Sequence, residues 1–163
     1  MILSKLKSIP ELAEIAASGR RLVFTNGCFD LLHVGHTRYL RAARALGDAL
    51  VVAVNGDASV RALKGSGRPV NSELDRAEVL ASLESVDFVV IFHAERVTEL
   101  LRAIRPRIYA KGGDYTVESL NSEELAALRE FGAEIRILPL APGKSTTATI
   151  EKMSASENQG IVR

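Results

Sequence analysis

The sequence predicts an α/β protein: a doubly wound, Rossmann-like parallel sheet of about five strands with helices on both faces. Three observations predict it. Short apolar runs recur at 21–25, 49–54, 87–92, 107–110 and 133–140. They read as strands buried on both faces, because each is apolar, short and bounded by turn residues. Between them lie segments with apolar residues at helical spacing, and strands that alternate with helices form parallel sheets. The chain of 163 residues has about the length of one domain and can hide roughly two-thirds of its unfolded surface.

The elements follow in order. Ser8 with Glu11 is a capping-box pair, Pro10 suits a first turn and Gly19 a stop, so residues 1–19 hold an N-terminal helix. Arg21–Thr25 (RLVFT) is the first strand. His36–Leu46 carries Tyr39, Leu40, Ala43 and Leu46 on one helical face, and Gly47 ends it. Ala49–Val54 (ALVVAV) is the second strand. Ser72 caps a helix bearing Leu74, Ala77, Leu80 and Ala81. Asp87–Phe92 is the third strand, Val97–Ile104 a helix stopped by Pro106, and Arg107–Ala110 the fourth strand. Asn121 and Glu124 open a helix that Gly132 ends, Ala133–Leu140 is the fifth strand, and Ser145–Met153 a closing helix. The expected catalytic core is 20–153, and the polar stretch 154–163 is expected to fray.

Composition excludes several classes. With 21 Lys and Arg against 20 Asp and Glu, the net charge of +1 offers no general attraction to nucleic acid or a membrane surface. No apolar run approaches a bilayer span and no signal-peptide core is present. The single cysteine, Cys28, permits no internal disulfide and fits a reducing compartment, so a cytoplasmic protein is expected. No G-x-G-x-x-G follows a strand, and no His/Cys/Asp cluster has structural-zinc spacing, so no metal-ligating residue is named.

In a sheet of this kind ligands bind beyond the C-terminal strand ends, where the strand order reverses. The loop after the first strand reads TNGCFDLLHVGH, from Thr25 to His36. One helical turn separates His33 from His36, which puts both on one face. Gly35 between them leaves room for a phosphate, and a helix starting there aims free N–H groups and its positive end at an anion. His93 stands alone after a strand and reads as an ordinary surface residue. Lys64-Gly-Ser-Gly-Arg68 is a basic, glycine-bearing loop suited to a lid over phosphates, and equally to a plain solvated loop. Lys111-Gly112-Gly113-Asp114 ends the fourth strand, on the functional edge, and also reads as a tight turn. Gly143-Lys-Ser-Thr146 imitates the end of a P-loop, but Leu138 stands where the first glycine belongs, so only a helix-terminus phosphate site or a simple cap remains.

The stretch GCFDLLHVGH resembles the signature of the HxGH-type nucleotidyltransferases, the superfamily of cytidylyltransferases and adenylyltransferases. TNGCFDLLHVGHTRYL, VNGDASVRALKGSGRPVN, ESVDFVVIF, KGGDY and a late STT, in that order over about residues 20–153, resemble its branch that makes ADP-heptose. The resemblance implies that His33 and His36 stabilise charge on the α-phosphate, with Lys64 as a further catalytic cation. It implies that Thr25, Asn26, Gly27, Cys28, Phe29 and Gly35 line the triphosphate and acceptor site, and that Asp30 orders the loop. Arg68, Lys111, Gly112, Gly113 and Asp114 would complete the pocket. Ser145, Thr146 and Thr147 would hold the departing phosphates, and Asn55, Asp57 and Arg76 are weaker acceptor-site candidates.

The activity so implied is transfer of AMP from ATP to a sugar 1-phosphate, D-glycero-β-D-manno-heptose 1-phosphate, with release of pyrophosphate and with Mg²⁺ on the phosphates. A homodimer and a separate heptose kinase supplying the acceptor are the implied partners. A cytidylyltransferase acting on glycerol 3-phosphate, and a non-catalytic nucleotide-binding module, are the alternatives.

Overall fold

The computed structural model describes residues 2–113, 115–139 and 150–153. After a 3₁₀ turn at Ile2–Lys5 the elements are α1 (Ile9–Ala17), β1 (Leu22–Gly27), α2 (Val34–Arg44), β2 (Ala49–Asn55) and α3 (Asp57–Lys64). There follow α4 (Glu73–Ala81), β3 (Phe88–Phe92), α5 (Thr98–Ile104), β4 (Ile108–Gly112), α6 (Ser122–Glu130) and β5 (Glu134–Leu138). The strands form one parallel sheet in the order β3-β2-β1-β4-β5. The order reverses between β1 and β4, so the crevice for a ligand opens beyond their C-terminal ends.

Alternation along the strands builds two cores. Leu22 and Phe24 of β1, Val51 of β2 and Tyr109 of β4 face a layer with Leu12 of α1, Leu101 of α5 and Leu128 of α6. Val23, Val52, Ile108 and Ala110 face the other layer, with Tyr39 and Leu40 of α2 and Leu80 of α4. All seven residues of β2 are buried. Each valine so placed contributes roughly 1.5–3 kcal/mol over its exposed state. The exposed side of β3 is partly covered by the N-terminus, where Leu6 bridges Val89 and the Lys7 N–H donates to Val89 O at 2.9 Å. That contact blunts an edge open to pairing.

Most expected elements stand where the sequence places them, with shifted ends. The first strand runs two residues further, to Gly27, and the helix expected from His36 begins at Val34. The eight residues of α3 were not anticipated. Its N-cap is Gly56, and Ser59 and Val60 are its only buried residues, so neither a cap nor an apolar stripe announces it. Lys64 therefore ends a helix, and the expected loop starts at Gly65. Of the expected closing helix only 150–153 is described, and it is helical. The stretch 154–163 lies outside the described residues.

Candidate active site

The start of α2 is built from its two histidines. His33 is the N-cap, and its Nδ1 accepts the Gly35 N–H at 3.1 Å. His36 reaches back, and its Nδ1 accepts the His33 N–H at 3.3 Å. Each neutral imidazole therefore carries its proton on Nε2, as a donor. The rings lie 4.0 Å apart between centroids. Burial and the neighbouring His33 hold the pKa of His36 down at about 4. His36 is thus a neutral hydrogen-bond donor at physiological pH, next to the positive end of a helix dipole.

The approach to this cap is tight. Phe29 adopts a left-handed backbone, φ 47°, and its ring meets His36 edge to face at 5.6 Å. A Cβ on Gly27 would come within 3.1 Å of that ring, which would have to give by a few tenths of an ångström to admit it. Cys28 lies between them, with its thiol pKa raised by burial. Thr25 points away from the cleft and shares a 2.8 Å hydrogen bond with Tyr39 Oη beneath it. Burial raises the Tyr39 pKa to about 12.

The cleft has a volume of about 570 Å³, in the range of nucleotide-sized ligands. Along one side, Asp30 organises the basic loop. Its carboxylate accepts from Val70 N at 2.9 Å and Asn71 N at 3.1 Å and pairs with Arg68 Nε at 2.6 Å. Burial pushes the Asp30 pKa up, but these N–H groups and the guanidinium outweigh it and leave the pKa below the ordinary value. Arg68 thus lines the cleft while anchored to Asp30. Lys64 also lines it and has no hydrogen-bonding or ion-pair partner among the described residues.

Arg76, a weaker acceptor-site candidate, is absent from the cleft lining. Its side chain is fully buried, and its guanidinium donates to Asn71 O at 3.1 Å, Cys28 O at 2.6 Å, Asn55 O at 2.7 Å and Asp57 Oδ1 at 2.8 Å. Arg76 is a strut behind the cleft, tying together the loop after β1, the end of β2 and the start of α3. Asp57 is its ion-pair partner and is likewise absent from the cleft lining, whereas Asn55 is on it. Thr25 and Gly113 are also outside the lining.

Across the cleft, Lys111 and Gly112 end β4. Burial lowers the Lys111 pKa, against the opposing pull of Glu124. Sequence reasoning missed Tyr39, Leu63, Glu95, Arg96, Tyr115 and Glu124 as lining residues. Tyr115 and Glu124 follow the fourth strand on the functional edge, and that position was the available signal. Asp114, Ser145, Thr146 and Thr147 lie outside the described residues. Among the described residues no group of three His, Cys, Asp or Glu side chains is placed to hold a metal ion, and no helix is long and apolar enough to cross a membrane.

Comparison with known proteins agrees with this geometry. Residues 24–154 match the family model described as cytidylyltransferase-like. The chain is 48% identical over 154 residues to the bifunctional protein HldE of Geotalea uraniireducens, covering 92% of this chain and 31% of that protein. It is 50% identical over 135 residues to the bifunctional protein HldE of Nitratiruptor sp., covering 83% of this chain and 28% of that one. The chain thus spans about a third of the length of the curated relatives it matches. A lipopolysaccharide core biosynthesis protein from Thermoplasma volcanium shares the fold at a TM-score of 0.61 and 28% identity, covering 76% of this chain and 98% of that one. A pantoate-beta-alanine ligase from Francisella tularensis, at a TM-score of 0.55 and 13% identity over 87% of this chain and 68% of its own, shares the fold alone. A doubly wound sheet whose first crossover helix is capped by H-x-G-H, matched by the family model over most of its length, makes the chain a member of the cytidylyltransferase-like nucleotidyltransferases.

Proposed function

We propose that the chain transfers AMP from ATP to a sugar 1-phosphate, D-glycero-β-D-manno-heptose 1-phosphate, forming ADP-heptose and pyrophosphate. An oxygen of the acceptor phosphate attacks the α-phosphorus in line, and the bond to the bridging oxygen of pyrophosphate breaks. The acceptor is already an anion, so no general base is needed. Catalysis then rests on positioning and on stabilising developing charge. The reciprocal His33–His36 cap carries this reading. It sets two imidazoles and a helix N-terminus at the switch point of the sheet, with His36 a neutral N–H donor.

Magnesium enters on the nucleotide, held by phosphate oxygens and water, as part of the substrate. The cleft carboxylate of Asp30 is committed to Arg68 and to backbone N–H groups. Lys64 and Arg68 supply positive charge to the phosphates. The likeness to the Thermoplasma lipopolysaccharide core biosynthesis protein supports a place in core-saccharide synthesis. A reaction that consumes ATP fits the cytoplasm, a homodimer is the assembly we propose, and a heptose kinase activity must supply the acceptor.

The test is pyrophosphate release with ATP and CTP across a panel of heptose 1-phosphate, mannose 1-phosphate and glycerol 3-phosphate. The expected result is turnover with ATP and heptose 1-phosphate. Turnover only with CTP and glycerol 3-phosphate would replace this reading. Tight ATP binding with no release on any acceptor would make the chain a binding module.

A further inference from the structure

We infer that Glu124, with Asn26 and Lys111, forms a hydroxyl-recognition subsite that takes a vicinal diol. The inference rests on the proposed function only in naming the diol's two sources: the ribose of the nucleotide and the ring of the sugar phosphate.

The residues meet through the sheet's geometry. Phe24 and Tyr109 pair across β1 and β4. Asn26 and Lys111, two residues further along each strand, therefore share the face of Tyr109. That face turns toward α6, where Glu124 is the third helical residue. Asn121 and Glu124 read in the sequence as the residues that open this helix. Asn121 does cap, with Oδ1 accepting from Glu123 N at 3.0 Å and Glu124 N at 3.3 Å. The Glu124 side chain instead lines the cleft and is only 8% exposed.

The hydrogen bonding in this corner is incomplete. A carboxylate has about four acceptor directions, yet among the described residues the one polar contact of the Glu124 carboxylate is Tyr109 Oη at 3.5 Å, whose single hydrogen goes to Asn26 at 2.9 Å. Among the described residues Glu124 has no ion pair. Asn26 Oδ1 accepts from Tyr109 Oη at 2.9 Å and from Lys111 Nζ at 3.4 Å. The Asn26 amide nitrogen has no acceptor among the described residues and belongs to the cleft wall. Lys111 makes two long bonds, each 3.4 Å, and lies 5.2 Å from the centre of the Tyr115 ring. The corner thus offers an acceptor-only carboxylate, unspent amide and ammonium donors, and an aromatic face.

A phosphate does not suit this set, because the buried carboxylate repels it. A pair of hydroxyls does, since each can donate to Glu124 and accept from Asn26 or Lys111. The Glu124 carboxylate meets the cleft with acceptor directions to spare, and ligand hydroxyls can fill them.

The experiment titrates the full chain with ATP, 2′-deoxy-ATP and 3′-deoxy-ATP, and measures KM for ATP and heptose 1-phosphate in Glu124→Gln. If the diol is the ribose, a deoxy nucleotide binds the native protein about tenfold or more weakly, as expected for a lost bond to a charged group. The gap then closes in Glu124→Gln while KM for the sugar phosphate holds. If the diol is the sugar ring, the three nucleotides bind alike and Glu124→Gln raises KM for heptose 1-phosphate by about tenfold or more. Either result supports the subsite. Equal nucleotide binding together with an unmoved sugar-phosphate KM overturns it, as does an effect confined to the thermal midpoint. Should Glu124→Gln fail to fold, the native protein decides the matter: no loss with any deoxy nucleotide or with 2-deoxy-mannose 1-phosphate, relative to mannose 1-phosphate, overturns the subsite. A native protein without transferase activity that still distinguishes ATP from its deoxy forms would sink the proposed function and leave the subsite standing.

Discussion

His33 and His36 cap one helix reciprocally, each using Nδ1 as the acceptor of a backbone N–H. The arrangement orients both rings and fixes one tautomer before any ligand arrives. Preorganised donors of this kind matter most where charge develops in the transition state. His36→Ala should therefore lower kcat by on the order of a hundredfold or more, with KM for ATP changed far less. Steady-state pyrophosphate release checks this, and near-normal turnover would remove His36 from catalysis.

The same cap makes stability depend on pH. The folded-state pKa of His36, about 4, lies below its ordinary 6.5. Between these values the unfolded chain binds the extra proton. The stabilisation is thus complete above about pH 6.5 and fades as the pH falls toward about 4. Asp30, with its pKa below the carboxylate norm, remains ionised through that window. Urea midpoints at pH 7 and pH 5 should fall less in His36→Asn than in the native protein.

Arg76 separates a strut from a ligand contact. Its replacement by Lys leaves at least two buried carbonyls, those of Cys28 and Asn55, competing for one ammonium. Lysine keeps the charge but loses the fork that reaches these acceptors, and each hydrogen bond to a charged group so lost costs about 1.5–3 kcal/mol. Arg76→Lys should lower the thermal midpoint markedly, read by calorimetry. A variant with raised KM for the acceptor and an unchanged midpoint would instead restore a direct substrate contact.

Asp30→Asn tests the anchor of the basic loop. It leaves Arg68 without its counter-charge and weakens two backbone contacts. A loss of about 3 kcal/mol in urea unfolding is expected. A higher KM for both anionic substrates should accompany it, because Arg68 loses its fixed position.

Lys64 is exposed, and its replacement should leave stability within about 0.5 kcal/mol. Its charge faces the cleft without a partner among the described residues. Lys64→Ala should raise KM for the phosphate-bearing substrates and flatten their dependence on ionic strength. Kinetics at two salt concentrations decide it.

The sheet was legible because local chemistry dictates it. Continuous apolar runs such as 49–54 can be buried only on two faces, and the helices between them must cover those faces. The histidine cap was legible for a similar reason, since His33, Gly35 and His36 are neighbours in one turn. What lies far apart in the chain was not. Arg76 reads as one surface arginine among many until the folded chain surrounds it with carbonyls 21 and 48 residues away. Glu124 reads as one of two residues that open a helix until β4 and α6 bring it beside Tyr109. Spacing along a helix or strand determines which side chains share a face, so the sequence alone suffices there. Which faces then meet depends on the order of the strands and the packing of the layers, and only the tertiary structure decides that.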